Sequence, residues 1–344
     1  MIRPGLRLPG TAALLLAGLL SLPAAAQVTF KMATLVPENS AWFRVLREMG
    51  DSWSRTSGGR VRLVLYPGGR QGDDPDIIRK MHVGSLNGAM LASPGLAAID
   101  RSVYAMSIPL AFDSEEELDA VMERMRPRLE ANFEAKGFVV LNWAEGGWIQ
   151  FFSKKPVANP EDLRRLKLFQ WAGDPQGLEL WKAAGFHPVV APATELATGL
   201  QTGLIEAFAS SPQIVLITRF YEQAPYMADL KWAMVLAGTV VTREAWNKVP
   251  ADAKPAILQA AREAGEKLKA DTRASAGRDL QAMRQVGLKV TPVDAAARAQ
   301  WQRAVERASG KLRGDFVPAE AYDEVIRALA EVRKARRTPQ SVQK

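Results

Sequence analysis

Histidine, cysteine and clustered carboxylates build most catalytic and metal sites, and this sequence is poor in the first two. It has two histidines, His82 and His187, and no cysteine. His82 falls in an amphipathic stretch and His187 follows Phe186 just before Pro188. Neither has a second histidine or a cysteine nearby, so no metal site is expected and both read as structural. Gly68-Gly-Arg-Gln-Gly72 lies between a strand and a helix but lacks the G-x-G-x-x-G spacing of a dinucleotide loop, and there is no Gly-x-Ser-x-Gly nucleophile elbow. No cofactor is expected. Ser114-Glu-Glu-Glu117 has capping-box spacing and reads as a solvated helix start. Glu38, Glu145 and Glu206 are carboxylates that burial could tune as a base, which keeps a lyase or isomerase as the enzymatic alternative. No spacing supports it.

The residue types that do converge suit binding rather than catalysis. Between Glu161 and Pro212 two short apolar strands are each followed by a helix. Leu166–Trp171 runs through Gly173-Asp174-Pro175 into a helix with Leu178, Leu180 and Trp181 on one face. Leu204–Ser210 follows a short helix closed by Gly203 and ends at Pro212. In an α/β domain ligands collect at the carboxyl ends of strands, which nominates Phe169, Trp171, Phe208, Ser210 and Ser211. None is charged. In the first part of the chain Glu38, Asn39 and Ser40 lie between a strand end and a helix N-terminus, where free backbone N–H groups face outward. They are ligand contacts or, for Asn39 or Ser40, simply the helix cap. Ser93 ends the strand Ala89–Ser93, and Trp148 follows Glu145-Gly-Gly147 at the first crossing between two halves.

The elements that would position these residues alternate strand and helix. Val28–Met32 alternates apolar and polar, and Trp42, Val45, Leu46, Met49 and Trp53 mark one helix face. Asp74-Pro75 has N-cap and N1 chemistry, so Asp73 and Asp74 need no catalytic role. Phe138–Trp143 is continuously apolar, as for a strand buried on both sides. Trp232–Val241 would return the chain, and Ala251–Met283 reads as a long helix. The fold class is therefore α/β.

Residues 1–26 carry Arg3 and Arg7, an apolar run Thr11–Leu22, and Ala24-Ala-Ala26, the layout of a cleaved secretory signal. The run has 12 residues, whereas a spanning helix needs roughly 20. Export places the protein in the periplasm, and without cysteine it is held together by its core alone. The formal charge of +8 falls to +6 once Arg3 and Arg7 are removed, and five basic residues against one acid sit in the tail Glu331–Lys344. With its charge concentrated in a solvated tail, no nucleic-acid partner is expected.

Asn159-Pro-Glu-Asp-Leu-x-x-Leu-Lys-Leu168, followed by Leu200-Gln-Thr-Gly-Leu-Ile-Glu206, resembles the periplasmic solute receptors of TRAP transporters, the DctP family. Arg60–Gly72, Ile108–Phe112, Gly137–Trp143 and Val241–Pro250 fall in the order that family has them. The resemblance implies a two-lobed periplasmic binding protein fold with crossing hinge strands and a ligand cleft between the lobes. It also implies delivery of a small organic solute to the membrane permease subunits of a TRAP transporter. The expected division is 27–143 plus about 231–250 for the first lobe. Residues 144–230 plus about 251–330 form the second, and 331–344 form a disordered basic tail. A receptor reporting to a sensor kinase is the alternative within binding proteins.

Receptors of this family typically hold an organic acid through an arginine on the strand after the Leu-Lys motif. Here that position is Phe169. The basic residue expected after the glycine-aromatic pair is Ile149, following Gly147-Trp148. Glu206-Ala207-Phe208 stands where Asp-Gly-Gln would, with Ser210 or Ser211 at the family's asparagine. These departures point to a neutral or aromatic ligand packed on Trp148, Phe169, Trp171 and Phe208, because an unpaired carboxylate in an apolar site costs several kcal/mol. The mature protein should begin at Gln27, and intact-mass measurement of exported protein checks it. A membrane-bound product retaining Met1–Ala26 would overturn the export reading.

Overall fold

The structure, a computed structural model, describes residues 27–337. The proposed signal at 1–26 and the last seven residues of the tail lie outside the described residues. Ten strands are present among them: β1 Val28–Thr34, β2 Val61–Tyr66, β3 Gly88–Ala92, β4 Phe138–Ser153, β5 Phe169–Trp171, β6 Val189–Ala191, β7 Ala207–Ser210, β8 Tyr226–Ala228, β9 Ala233–Thr242 and β10 Lys289–Thr291. The helices of the first half are α1 Ala41–Thr56, α2 Asp74–His82, α3 Ser93–Ile99 and α4 Glu115–Ala135. The second half has α5 Pro160–Arg164, α6 Pro175–Ala183, α7 Leu196–Thr202 and α8 Pro212–Thr218. Then come α9 Arg243–Asn247, α10 Lys254–Gln285, α11 Ala295–Arg307, α12 Ser309–Leu312 and α13 Ala319–Arg337.

The strands make one mixed sheet in the order β10-β8-β4-β9-β3-β1-β2, with β7 also paired to β4, and a separate parallel pair β5-β6. β4 is long enough to belong to both ends of that sheet. Its first part, from Phe138 to Ile149, runs antiparallel to β9, while Gln150–Ser153 pairs with β7 and Phe152–Ser153 with β8. Each end is covered on both faces by helices, which gives two lobes. One face of the β1-β2-β3 lobe buries Phe30, Trp42, Leu46 and Trp53 against α1 and the first turns of α10. The other face buries Leu96, Val121, Met125 and Phe133 from α3 and α4. In the second lobe Phe151, Phe186 and Trp301 fill one face, and Phe152, Phe208 and Met283 fill the other.

The segment from Ser309 to Arg337 differs from the sequence expectation. Leu312, Phe316, Val325 and Leu329 pack into the first-lobe cluster with Met125 and Leu129, so α13 returns to the lobe where the chain started. Residues 331–337, expected from the sequence to belong to the tail, continue that helix. Arg333 explains why: it donates to both Glu117 carboxylate oxygens, to Asp113 and to the Ala111 carbonyl. Its hydrogen bonds, with its charge, hold Glu117 below the usual carboxylate range.

The β4–β9 ladder shifts register between Val140 and Asn142 and again between Glu145 and Gly147. At the second shift Gly147 has φ +90°, a conformation that L side chains rarely adopt. Asn142 stabilises the first: its amide donates to Ala261 and its carbonyl accepts from Thr239. Glu145 is buried beside the second. Arg273 on α10 reaches it through Nε at 2.8 Å and also binds Asp119 on α4 through two bonds of 2.8 Å. Burial pushes the Glu145 carboxyl up while Arg273 opposes the shift. Arg273→Met should therefore cost about 2–3 kcal/mol of stability at neutral pH, because it leaves a buried acid unpaired. The loss should shrink as pH falls and Glu145 takes a proton, and Glu145→Gln in the same chain should restore most of it. Urea denaturation of the three variants at two pH values measures this; an equal loss at both would show that packing, not charge, is at stake.

Candidate functional site

A cleft of about 520 Å³ opens between the lobes, where strand ends from both converge. The first lobe contributes Thr34–Pro37 after β1, Met90–Pro94 at the end of β3, Asp74, and Tyr104 from a 3-10 turn. The second contributes Phe169–Trp171 from β5, Asp174, Leu180 and Trp181 around α6, and Ala209–Ser211 at the end of β7. A second hollow of about 570 Å³ beside the start of β4 is lined by a mixture of charged and apolar side chains and by none of the residues nominated from the sequence.

Five of those ten residues line the cleft: Ser93, Phe169, Trp171, Ser210 and Ser211. Ser93 is turned away from ligand duty, because its hydroxyl exchanges hydrogen bonds with Leu236 N and O at 2.8 and 3.0 Å. The other five stand outside the lining. Glu38 and Asn39 are exposed, and Glu38 pairs with Arg70 at 2.6 Å. Ser40 is the N-cap of α1 and accepts from Phe43 N at 3.1 Å, so its capping role takes it. Trp148 is 7% exposed within the first-lobe core, with the Lys231 ammonium over its ring. Phe208 is fully buried and stacks on Phe152 in the second-lobe core. The β-strand period explains both: Ile149 and Ala209, the neighbours of Trp148 and Phe208, point to the cleft instead.

Residues that sequence reasoning passed over carry much of the lining. Trp181 and Trp232 stack at 5.6 Å and 14° and are backed by Phe151 and Trp301, so the aromatic wall is held by the core behind it. Tyr104, Phe186, Phe220 and Phe316 extend it. Two acids complete it. Asp174 caps α6 by accepting from Gly177 N at 3.0 Å, and it also accepts from Gln170 and Tyr104. Burial nevertheless pushes its carboxyl up. Asp74 is the first residue of α2, whose N-cap is Asp73 rather than Asp74. It is 3% exposed, and no described group donates to its Oδ1. Burial, with Asp73 beside it, pushes the Asp74 carboxyl up to about 8. A sequence signal existed: both acids precede a proline at a helix start, Asp74-Pro75 and Asp174-Pro175.

Among the described residues no lysine, arginine or histidine lines the cleft. Lys167, next to the β5 strand, points elsewhere and donates to Gly203 O at 3.0 Å. His82 packs edge-on against Phe138, and no group of three metal-ligating side chains occurs among the described residues. Asp73 joins the two sides of the cleft: its Oδ2 accepts from Trp171 Nε1 and from Ala193 N, the latter at 3.0 Å.

Residues 32–313 match the model of the bacterial extracellular solute-binding proteins of family 7, DctP. The chain belongs to this family. A curated relative, the 2,3-diketo-L-gulonate-binding periplasmic protein YiaO of Escherichia coli, is 24% identical over 221 residues, 64% of this chain and 67% of its own. The sugar acid binding protein of Advenella mimigardefordensis, solved with galactonate, superposes with a TM-score of 0.83 at 19% identity, covering 89% of this chain and 99% of that one. A TRAP solute-binding protein of Sulfurospirillum deleyianum, solved with succinate, gives 0.80 at 21% identity, with 89% and 99% covered. The two-lobed TRAP receptor fold is thus that of this chain, which is a solute-binding receptor and not an enzyme.

A buried acid with a raised pKa makes stability depend on pH. Between the ordinary carboxylate value near 4 and about 8, the unfolded chain releases a proton that folded Asp74 keeps, so the native state loses stability as pH rises through that window. Asp74→Asn should leave the melting temperature unchanged near pH 4 and raise it by about 2 °C or more at pH 8. Thermal denaturation across that range checks it. An equal loss at both ends would mean that the carboxylate makes structural bonds.

Proposed function

We propose that this receptor is a periplasmic protein that closes on an uncharged or aromatic organic solute and hands it to the permease subunits of a TRAP transporter. The observation that carries the ligand class is the composition of the cleft: aromatic and aliphatic walls, two carboxyl groups and no basic side chain. A guanidinium is the group that matches a carboxylate in two parallel hydrogen bonds, and Phe169 occupies the place where relatives are expected to carry it. The relatives solved with galactonate and succinate hold anions. In this cleft such an anion would meet two acids and lose its hydration without a counter-charge. The layout of residues 1–26 and family membership support export to the periplasm. Receptors that close around a ligand do so because the closed state has the higher affinity, and walls from both lobes meet that requirement here.

Isothermal titration against succinate, galactonate and a set of uncharged aromatics tests the reading. The anions should bind weakly or not at all, and an uncharged aromatic should bind and raise the melting temperature. Phe169→Arg should weaken an apolar ligand by about 2 kcal/mol, because it sets an unpaired charge into an apolar wall. Micromolar binding of a small carboxylate by the unaltered protein would overturn the uncharged-ligand reading.

A further inference from the structure

Two buried polar atoms of cleft-lining residues have no partner among the described residues, Trp42 Nε1 and Asp74 Oδ1, and of the two only Asp74 can carry charge. Asp74 lies at the start of α2, where a buried carboxylate usually earns its place by capping, but Asp73 and Asp76 already form the capping box. Asp74 Oδ1 accepts from nothing in the described protein, although nearly all buried polar atoms find a partner. The surrounding chain is shaped to seat this side chain. A Cβ on Gly95 of α3 would stand 2.2 Å from Asp74 Oδ2, so only glycine leaves the carboxyl its position on the cleft wall. The facing lobe repeats the arrangement, since a Cβ on Gly177 would stand 2.0 Å from Asp174 Oδ2. The difference between the two acids is their partners. Asp174 is bound by Gly177 N, Gln170 and Tyr104, whereas Asp74 Oδ1 is left for something outside the chain.

We propose that Asp74 is the polar anchor of the ligand and that the ligand is an aromatic or aliphatic compound bearing an amino group, whose N–H bonds end on the Asp74 carboxyl. This keeps the aromatic, non-anionic ligand proposed above but gives it a basic end in place of an uncharged one, and it rests on the reading that the cleft disfavours anions. Three features of the lining favour an amine over an alcohol. The cleft holds two carboxyls and no base, so a cation is the only ligand charge that its side chains can pair. Indole and phenyl faces from Trp171, Trp181, Trp232 and Phe220 surround the space, and aromatic faces attract an ammonium as well as an apolar body. An amine also offers more than one N–H, enough to reach Asp74 while its body packs on the stacked pair Trp181–Trp232. Paired in this way, acid and amine enter the low-dielectric cleft as a neutral unit. The same acid without a partner weakens the fold, a burden that ligand recognition would explain.

The test uses three probes that share one skeleton: 2-phenylethylamine, 2-phenylethanol and 3-phenylpropionate. They are titrated calorimetrically into the mature protein and into Asp74→Asn and Asp174→Asn. The amine should bind about tenfold or more tightly than the alcohol, and the carboxylate should be weakest. Asp74→Asn should cost the amine about tenfold in affinity and the alcohol about threefold or less, with its melting curve confirming a folded protein. Asp174→Asn should cost the amine less than Asp74→Asn does, because the Asp174 oxygens are already engaged. Equal binding of amine and alcohol, or an Asp74→Asn protein that keeps its preference for the amine, overturns the amine anchor and leaves the apolar cleft standing. Tightest binding by the carboxylate overturns both. If the amine shows no binding advantage at any concentration tested, the anchor is likewise overturned, whatever the fate of the variants.

Discussion

Both lobes depend on one strand. β4 is 16 residues long and its two ends serve different parts of the sheet, while α10 beside it packs into the cores of both lobes. Two register shifts fall within β4, and each is tied to α10 rather than left loose. Asn142 bridges β9 and α10 at the first, and the Glu145–Arg273 pair fastens the second to α10 and α4. Gly265 on α10 lies so close that a Cβ would stand 2.5 Å from Trp143 O, which lets helix and strand pack backbone to backbone. A buried ion pair contributes little net stability over an apolar substitute, but its loss is costly, so it fixes geometry at the crossing more than it strengthens the fold.

The cleft follows from that frame. Its aromatic wall is a continuation of the second-lobe core: Trp181 and Trp232 stack on each other and on the rings behind them, which keeps their faces in one place. A rigid apolar wall needs no ordering when a ligand arrives, so little of the gain from burying the ligand is lost to entropy. The polar groups are few and are all donors or acceptors of limited reach. Ser93 is spent on β9 and Asp174 on its helix cap. Ser210, Ser211 and the Trp42 indole remain able to hydrogen-bond a ligand, while the charged side chains of the lining are acids alone.

How far this could be read from the sequence depended on the range of the interactions involved. Strand and helix identity followed local periodicity, and β1, β2, β9 and α10 lie within a few residues of the expected positions. The long apolar run at Phe138 was legible as a strand, but its continuation to Ser153 was not, because Gly146-Gly147 reads as a break. The structure shows an irregular ladder there instead of an end. α13 could not be placed from its own residues, since an amphipathic helix does not reveal which lobe it covers; Arg333 and its partners on either side of α4's start decide it. In the site, residues at the ends of β5 and β7 were found because strand ends are a local feature. Trp148 and Phe208 were assigned to the wrong side because face depends on register, and a one-residue step reverses it. Asp74 was missed for a different reason. Its sequence context is fully satisfied by helix capping, and only the three-dimensional burial shows that Asp73 performs that task.

Asp73 and Asp74, adjacent in the chain, meet different surroundings in the cleft. Asp73 accepts from Trp171 and Ala193 across the cleft, so it favours the closed arrangement whether or not a ligand is present. Neutral donors bonded to a carboxylate contribute about 1.5–3 kcal/mol each when the pair excludes water, and less when solvent competes for the same groups. A latch much stronger than this would shut the cleft before a ligand could enter, since a two-state equilibrium moves to near-complete closure within about 3 kcal/mol of bias. Asp74 makes no such contact. Its Oδ2 fills the space a Cβ on Gly95 of the same lobe would take, and its Oδ1 has no partner among the described residues, so its burial weakens the fold unless a ligand supplies a donor. With Asp73 contributing only a modest bias, closure is left to be completed by the contacts that a ligand makes with both lobes.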